Sequence, residues 1–203
     1  MNERGMIFNA EMVRAILDGR KTQTRRPVKF PLIDKNMGCE LAGNELAGEL
    51  AAHNYWNSPY GKPGDSIWVR ETFRVHSRAT DVATLVYRAS VRNSWTEQTH
   101  RVPIAVCDKP ATPEKWTPSI HMPRWASRIL LEITDVRVER LRDLSEEDAK
   151  SEGITPPAGG VLPGWEYRIN FRDLWMDIYG TDSWEANPWV WVIEFKRVEG
   201  AAL

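Results

Sequence analysis

Gly19-Arg20-Lys21-Thr22-Gln23-Thr24-Arg25-Arg26 packs four cations, two threonines and one amide into eight residues. A short segment of apolar periodicity precedes it and Pro27 closes it. Asp18-Gly19 is a helix C-terminal signal, because glycine readily takes the left-handed conformation that ends a helix. Pro27 biases Arg26 toward extended geometry. A charge run of this kind is usually a solvated loop, but this one starts at a helix stop and ends at a proline, so its geometry is expected to be fixed. In a regular strand Lys21 and Thr24 face opposite sides. They converge only if a turn or bulge lies between them, whereas Thr24 and Arg26 share a face if the strand has begun by Gln23.

A threonine hydroxyl is a poor nucleophile without an adjacent base. A lysine can serve when burial or neighbouring cations draw its pKa from ~10.4 toward ~7–8. Arg20, Arg25 and Arg26 can supply such a field. One reading therefore makes Lys21 a base, Thr24 a nucleophile and Arg26 an anion clamp. The other makes Thr22 and Thr24 ordinary strand residues and lets the basic side chains bind phosphate.

Working outward, Met6-Ile7-Phe8 reads as a strand, and Asn9 is a suitable cap for a helix over 10–18. Met12, Val13, Ile16 and Leu17 give that helix its apolar face. Residues 31–60 read as an inserted loop with a weak helix, since Gly43 and Gly48 interrupt its helical stretch. Lys62-Pro63-Gly64-Asp65 is a turn that launches a strand over 66–73. Two more strands are expected over 82–89 and 100–107, the second at an edge or irregular because of Pro103. Residues 112–123 are proline-rich and irregular. From Ile129 to Leu141 the apolar residues slip out of phase, which predicts a bulge near Thr134-Asp135. Ser145 caps a short helix ending near Glu152-Gly153. A Pro/Gly loop over 156–164 leads to an amphipathic helix over 165–179. A last strand, 189–196, places Trp191, Ile193 and Phe195 on one face. The order defines an α+β chain with a mostly antiparallel, barrel-like sheet.

The length, 203 residues, suits one large domain or one domain with insertions. With 27 basic against 28 acidic residues, the whole molecule is no electrostatic nucleic-acid binder, so any such role needs a local patch. Cys39 and Cys107 fit no metal spacing, and the four histidines form no ligand pair, so no metal is expected. No apolar run approaches a membrane span and no secretory leader is present, which leads to the expectation of a cytoplasmic protein with no membrane partner. Of the ten tryptophans, Trp165, Trp175, Trp189 and Trp191 read as core. Trp56, Trp116 and Trp125 sit in loop-like sequence.

Gly19, Lys21, Thr22 and Arg26 resemble the Gly-x-Lys-Thr-x-x-x-Arg-like signature of the ASCH domain, a small β-barrel similar to the PUA RNA-binding domain. The Pro63-Gly64-Asp65 turn and the closing Val192-Ile193-Glu194-Phe195 are similar too. Most members carry Glu where this chain has Thr24. The N(4)-acetylcytidine amidohydrolases of the family have threonine there. The resemblance implies Lys21 as base, Thr24 as nucleophile and, through the Leu144-Ser145-Glu146 helix start, Glu152 as the third catalytic group. It brings no cofactor. Gln23 and Arg25 depart from the apolar residues of those compact enzymes. The extra length falls at 30–60, 75–125 and 155–165, as in longer, phage-associated ASCH proteins. Arg20, Arg26, Trp68, Glu71 and Arg124 are the candidates for substrate binding.

The resemblance thus implies an enzyme that removes an acyl group from the exocyclic amine of a cytidine-type nucleoside. The competing reading is an RNA- or nucleotide-binding module in which Arg20, Lys21, Arg25, Arg26 and Arg124 contact phosphate and Trp68 or Trp125 stacks on a base. A ribonuclease ranks lower, because no histidine pair or carboxylate cluster supports it. A Glu152 carboxylate beside Lys21 raises the lysine pKa, so the catalytic reading requires burial or the arginines to prevail.

Overall fold

The computed structural model describes residues 2–90, 99–155 and 166–198. The chain is α+β and divides into two compact units. The first comprises the described residues of Met1–Asp18, Ser66–Glu132 and Arg197–Leu203, the second those of Gly19–Asp65 and Ile133–Lys196.

In the first unit, β1 (Glu3–Ile7) pairs in parallel with β3 (Ser66–Arg70), which pairs antiparallel with the start of β7 (Leu130–Arg140). Helix α1 (Ala10–Leu17) begins where Asn9 Oδ1 accepts the Met12 amide at 2.8 Å, and it buries Val13, Ala15 and Ile16. Strands β4 (Phe73–Arg78), β5 (Val82–Tyr87) and β6 (Thr99–Pro103) form an antiparallel sheet with β6 at one edge, where Pro103 can be tolerated. Strand β6 ends at Pro103 and the chain turns through Ile104–Cys107, so the expected strand is shorter than its apolar run. Phe73, Leu85, Tyr87, Val102 and Met122 fill the core over this sheet.

In the second unit, β7 is followed by β8 (Trp189–Arg197) and then β2 (Gln23–Pro27), with β2 and β8 antiparallel in the register Thr24↔Ile193 and Arg26↔Trp191. The predicted phase slip in β7 is visible in its burial. Ile133 and Val136 are both buried, with exposed Thr134 and partly covered Asp135 between them. Val190, Trp191, Val192 and Ile193 are all buried, so β8 is covered on both faces rather than one. Val190 and Val192 pack with Phe171 and Trp175 of helix α4 (Glu166–Tyr179). Among the described strand pairings the sheets do not close into a ring. The Pro/Gly loop, Trp165 and the polar loop before β6 lie wholly or largely outside the described residues.

The stretch over 31–60 contains the helix that the sequence suggested only as a weak one. Residues Gly43–Ala51 form a regular helix, α2. Its first turn is secured by the Glu45 carboxylate, which accepts the Ala42 amide at 3.0 Å, and Leu46 and Leu50 are buried. The two glycines that argued against it have different roles. Gly43 admits the Trp189 indole so closely that a Cβ there would lie 2.3 Å from its Nε1. At Gly48 a Cβ meets nothing within 4 Å. Gly43→Ala should therefore destabilise by about 1–3 kcal/mol through overpacking. Gly48→Ala should stabilise by about 0.5–1 kcal/mol through helix propensity. Urea unfolding of the two variants beside the parent checks both signs.

Candidate active site

Helix α3 (Glu146–Ser151) brings the third predicted residue to the basic stretch. Ser145 caps it, its hydroxyl accepting the Asp148 amide at 3.0 Å while Asp148 Oδ2 accepts the Ser145 amide at 3.1 Å. Asp148 thus completes the reciprocal cap usually made by the longer Glu. The helix closes at Glu152, and Gly153 follows with φ +81°. This turn sets Glu152 opposite Lys21 in an isolated antiparallel bridge.

Lys21 and Glu152 are both buried. Lys21 Nζ donates to Glu152 Oε2 at 2.7 Å and to the Glu152 carbonyl at 2.9 Å. Burial pulls the Lys21 pKa below its ordinary value. The Glu152 carboxylate opposes this, and the guanidinium groups of Arg26 and Arg25 reinforce it. The sequence reading required burial or the arginines to prevail over the carboxylate, and both act in that direction here.

Thr22 breaks the regular pleat. Its amide donates to the Ser151 carbonyl at 2.8 Å, while its carbonyl accepts the Phe195 amide at 2.8 Å. In a regular strand both groups of one residue face the same neighbour, so the alternation restarts at Gln23. From there Gln23 and Arg25 share one face and Thr24 and Arg26 the other. Thr24 is fully buried, and its Oγ1 accepts from Arg26 Nη1 at 3.0 Å. Among the described residues no hydrogen bond joins Lys21 Nζ to Thr24 Oγ1. Each is held by its own charged partner.

Arg25, read from the sequence as part of a cationic field or as a phosphate contact, is held instead by carboxylates. It is buried, and Nη1 meets Glu152 Oε1 at 3.2 Å while Nη2 meets Glu139 Oε1 at 2.5 Å and Asp148 Oδ2 at 3.5 Å. Gln23 Nε2 donates to the Asp148 carbonyl at 2.9 Å and to its Oδ1 at 3.2 Å. Arg137 joins through Glu139 Oε2 at 3.3 Å and Asp148 Oδ1 at 3.4 Å. The two-residue spacing of Gln23-x-Arg25 on β2 and of Arg137-x-Glu139 on β7 puts each pair on one strand face, and Arg25 reaches Glu139 past β8, which lies between the two strands in the sheet.

The remaining candidates have local partners. Arg20 Nη1 donates to the Gly153 carbonyl at 3.0 Å. Arg20 also lines a cleft of about 600 Å³ with Thr22, Lys150, Ser151, Thr155 and Tyr167. Trp68, Glu71 and Arg124 belong to the first unit. The Trp68 ring lies against Gly5 and under the Arg70 guanidinium, whose Cζ is 5.4 Å from the ring centroid. Glu71 is buried and held by Arg128 at 2.9 and 3.1 Å. Burial raises its pKa and Arg128 opposes the rise. Arg124 pairs with Glu3 at 2.8 Å. Among the described residues no group of three or more His, Cys, Asp or Glu side chains is placed to hold a metal ion. Nor is any helix long and apolar enough to cross a membrane. No family model matches the chain, and neither a curated protein nor a solved structure matches it.

Glu152→Gln leaves Lys21 and Arg25 buried without their shared charge. It should cost about 3–5 kcal/mol of stability. Glu147→Gln on the exposed side of the same helix should change stability by less than about 0.5 kcal/mol. Denaturant midpoints of the two variants test the contrast.

Proposed function

We propose that this chain is an amidohydrolase that removes an acyl group from the exocyclic amine of a cytidine-type nucleoside. The observation that carries the reading is a buried lysine, depressed by burial and anchored to a carboxylate, three residues from a buried threonine whose hydroxyl sits on a guanidinium. Arg26 favours the anionic form of the Thr24 oxygen, because a hydrogen bond to a charged form stabilises it. Thr24 Oγ1 attacks the acyl carbon and its proton passes to the neutral amine of Lys21. Lys21 then protonates the departing exocyclic amine, releasing cytidine and leaving the acyl group as an ester on Thr24. Water attacks that ester while Lys21 takes its proton, and Lys21 returns the proton to the departing Thr24 oxygen, which releases the carboxylic acid and restores the site. Glu152 holds the Lys21 ammonium and positions it. The free protein holds no direct Lys21–Thr24 hydrogen bond, so the mechanism requires a water or the substrate itself to carry the proton between them.

The finer assignment proposed with it is an ASCH-type, PUA-like β-barrel acting in the cytoplasm, with no cofactor. It rests on the resemblance of residues 19–26, of the turn at 63–65 and of the α3 region. A second reading, an RNA- or nucleotide-binding module, draws on the cleft lined by Arg20, Lys150, Glu147 and Tyr167, two cations, one carboxylate and an aromatic ring in one concavity.

Purified protein should release cytidine from N(4)-acetylcytidine. Thr24→Ala should lower kcat/KM by at least about 10³-fold, and Lys21→Ala similarly, with folding verified by circular dichroism. The parent's kcat/KM should rise with pH along a limb lying below the ordinary lysine value of ~10.4, because the neutral amine is the base. No turnover by the parent, with RNA binding that weakens steeply as salt rises, would replace this reading by the binding module.

A further inference from the structure

In the second unit a separate cleft of about 420 Å³ is lined by Asp34, Asn36, Met37, Glu49, Asn54, Trp56 and Asn57. We propose that this cleft binds an organic cation of the guanidinium type, with Trp56 and Met37 as walls and Asp34 and Glu49 as counter-charges.

The walls are exposed side chains on an anchored backbone. Trp56 is 64 % exposed and Met37 73 %, a large apolar display for two residues facing one concavity. Their backbones are locked. The Trp56 amide donates to Asn54 Oδ1 at 3.2 Å, and its carbonyl accepts Lys35 Nζ at 2.9 Å. Asp34 Oδ1 accepts the amides of Asn36 at 2.6 Å and Met37 at 3.0 Å, which folds the opposite wall into a tight turn. Asn57 is buried and sews the two walls together. Its Oδ1 accepts the Lys35 amide at 3.0 Å, and its Nδ2 donates to Glu49 Oε2 at 2.9 Å. The backbone of the site is therefore preorganised, which limits that part of the ordering cost of binding.

The charge of the cleft selects its ligand. Its lining holds two carboxylates and no cation. Lys35 stands beside it with its ammonium committed to the Trp56 carbonyl. The amides of Met37 and Asn36 hold the Asp34 carboxyl below the ordinary range, which keeps it ionised near neutrality. A flat cation can stack on the Trp56 indole while its N–H groups reach carboxylate oxygen, a pairing that suits guanidinium better than ammonium. The volume lies within the range of small-ligand sites. A neutral nucleobase gains the stacking but adds no counter-charge to the two carboxylates, which have only the adjacent Lys35 ammonium, and a phosphate meets two like charges.

The test is titration of the full chain with agmatine, followed by the indole N–H resonance of Trp56, assigned by its loss in Trp56→Leu. The isostere in which urea replaces the guanidinium, which keeps the alkylammonium and loses only the guanidinium charge, is titrated in parallel. Saturation with a Kd of about 1 mM or tighter is expected for agmatine. Glu49→Gln, which keeps an acceptor for Asn57 but removes the charge, should weaken it by about threefold or more. A short arginine-containing peptide separates the two sources of the group: tighter binding than agmatine assigns the cleft to an arginine side chain, weaker binding to a free small molecule. No saturable shift with either cation, or equal binding of the urea, overturns the proposal.

Discussion

Lys21 and Arg25, both buried, share the carboxylate of Glu152, and the placement of the basic stretch depends on that shared charge. Two cations removed from water are tolerable only with counter-charges at hydrogen-bond distance. Glu152 supplies one, and Glu139 and Asp148 supply the others for Arg25. Because the carboxylate sits at the end of a six-residue helix, that helix must dock where β2 begins. The Ser145–Asp148 cap, the Gly153 turn and the Gln23 amide on Asp148 all serve that docking. Ion pairs this deep are poor sources of net stability. Their physical consequence is to fix one arrangement and to alter the proton affinity of Lys21.

The same arrangement separates two chemistries on adjacent residues. The irregular backbone at Thr22 frees Lys21 from the alternation of β2, and the regular pleat from Gln23 onward puts Thr24 and Arg26 opposite Gln23 and Arg25. One face is a closed network of charges. The other holds a hydroxyl on a guanidinium, beside the β8 residues Ile193 and Trp191 that pair with Thr24 and Arg26. Tyr60 edges against Trp191 with ring centroids 5.8 Å apart, and burial raises its pKa against the pull of Arg26.

Much of the local structure was legible because its signals are short-range. The Asn9 and Ser145 caps, the helix stop at Asp18-Gly19, the start of β2 at Gln23 and the phase slip in β7 are each written within a few residues. What was not legible depends on partners distant in sequence. Gly43 and Gly48 argued against a helix by propensity alone, and only the burial of Leu46 and Leu50 and the Trp189 ring beside Gly43 reverse that judgement. The Lys21–Glu152 pairing came from family resemblance rather than spacing. Arg25, read as part of a general field, holds Glu152 directly because Glu139 and Asp148, more than a hundred residues away, converge on it. The neighbours of Trp68, Glu71 and Arg124, namely Gly5, Arg128 and Glu3, likewise could not be read from the chain.

The account turns on Lys21 being drawn toward the neutral amine despite a carboxylate 2.7 Å away. The most direct measurement is titration of the Lys21 side chain by the chemical shift of its ¹³Cε, assigned by its loss in Lys21→Met. A midpoint below the ordinary lysine value of ~10.4 is the predicted result. A midpoint at or above that value would mean that the Glu152 charge dominates, and Lys21 would then be a structural cation rather than a base.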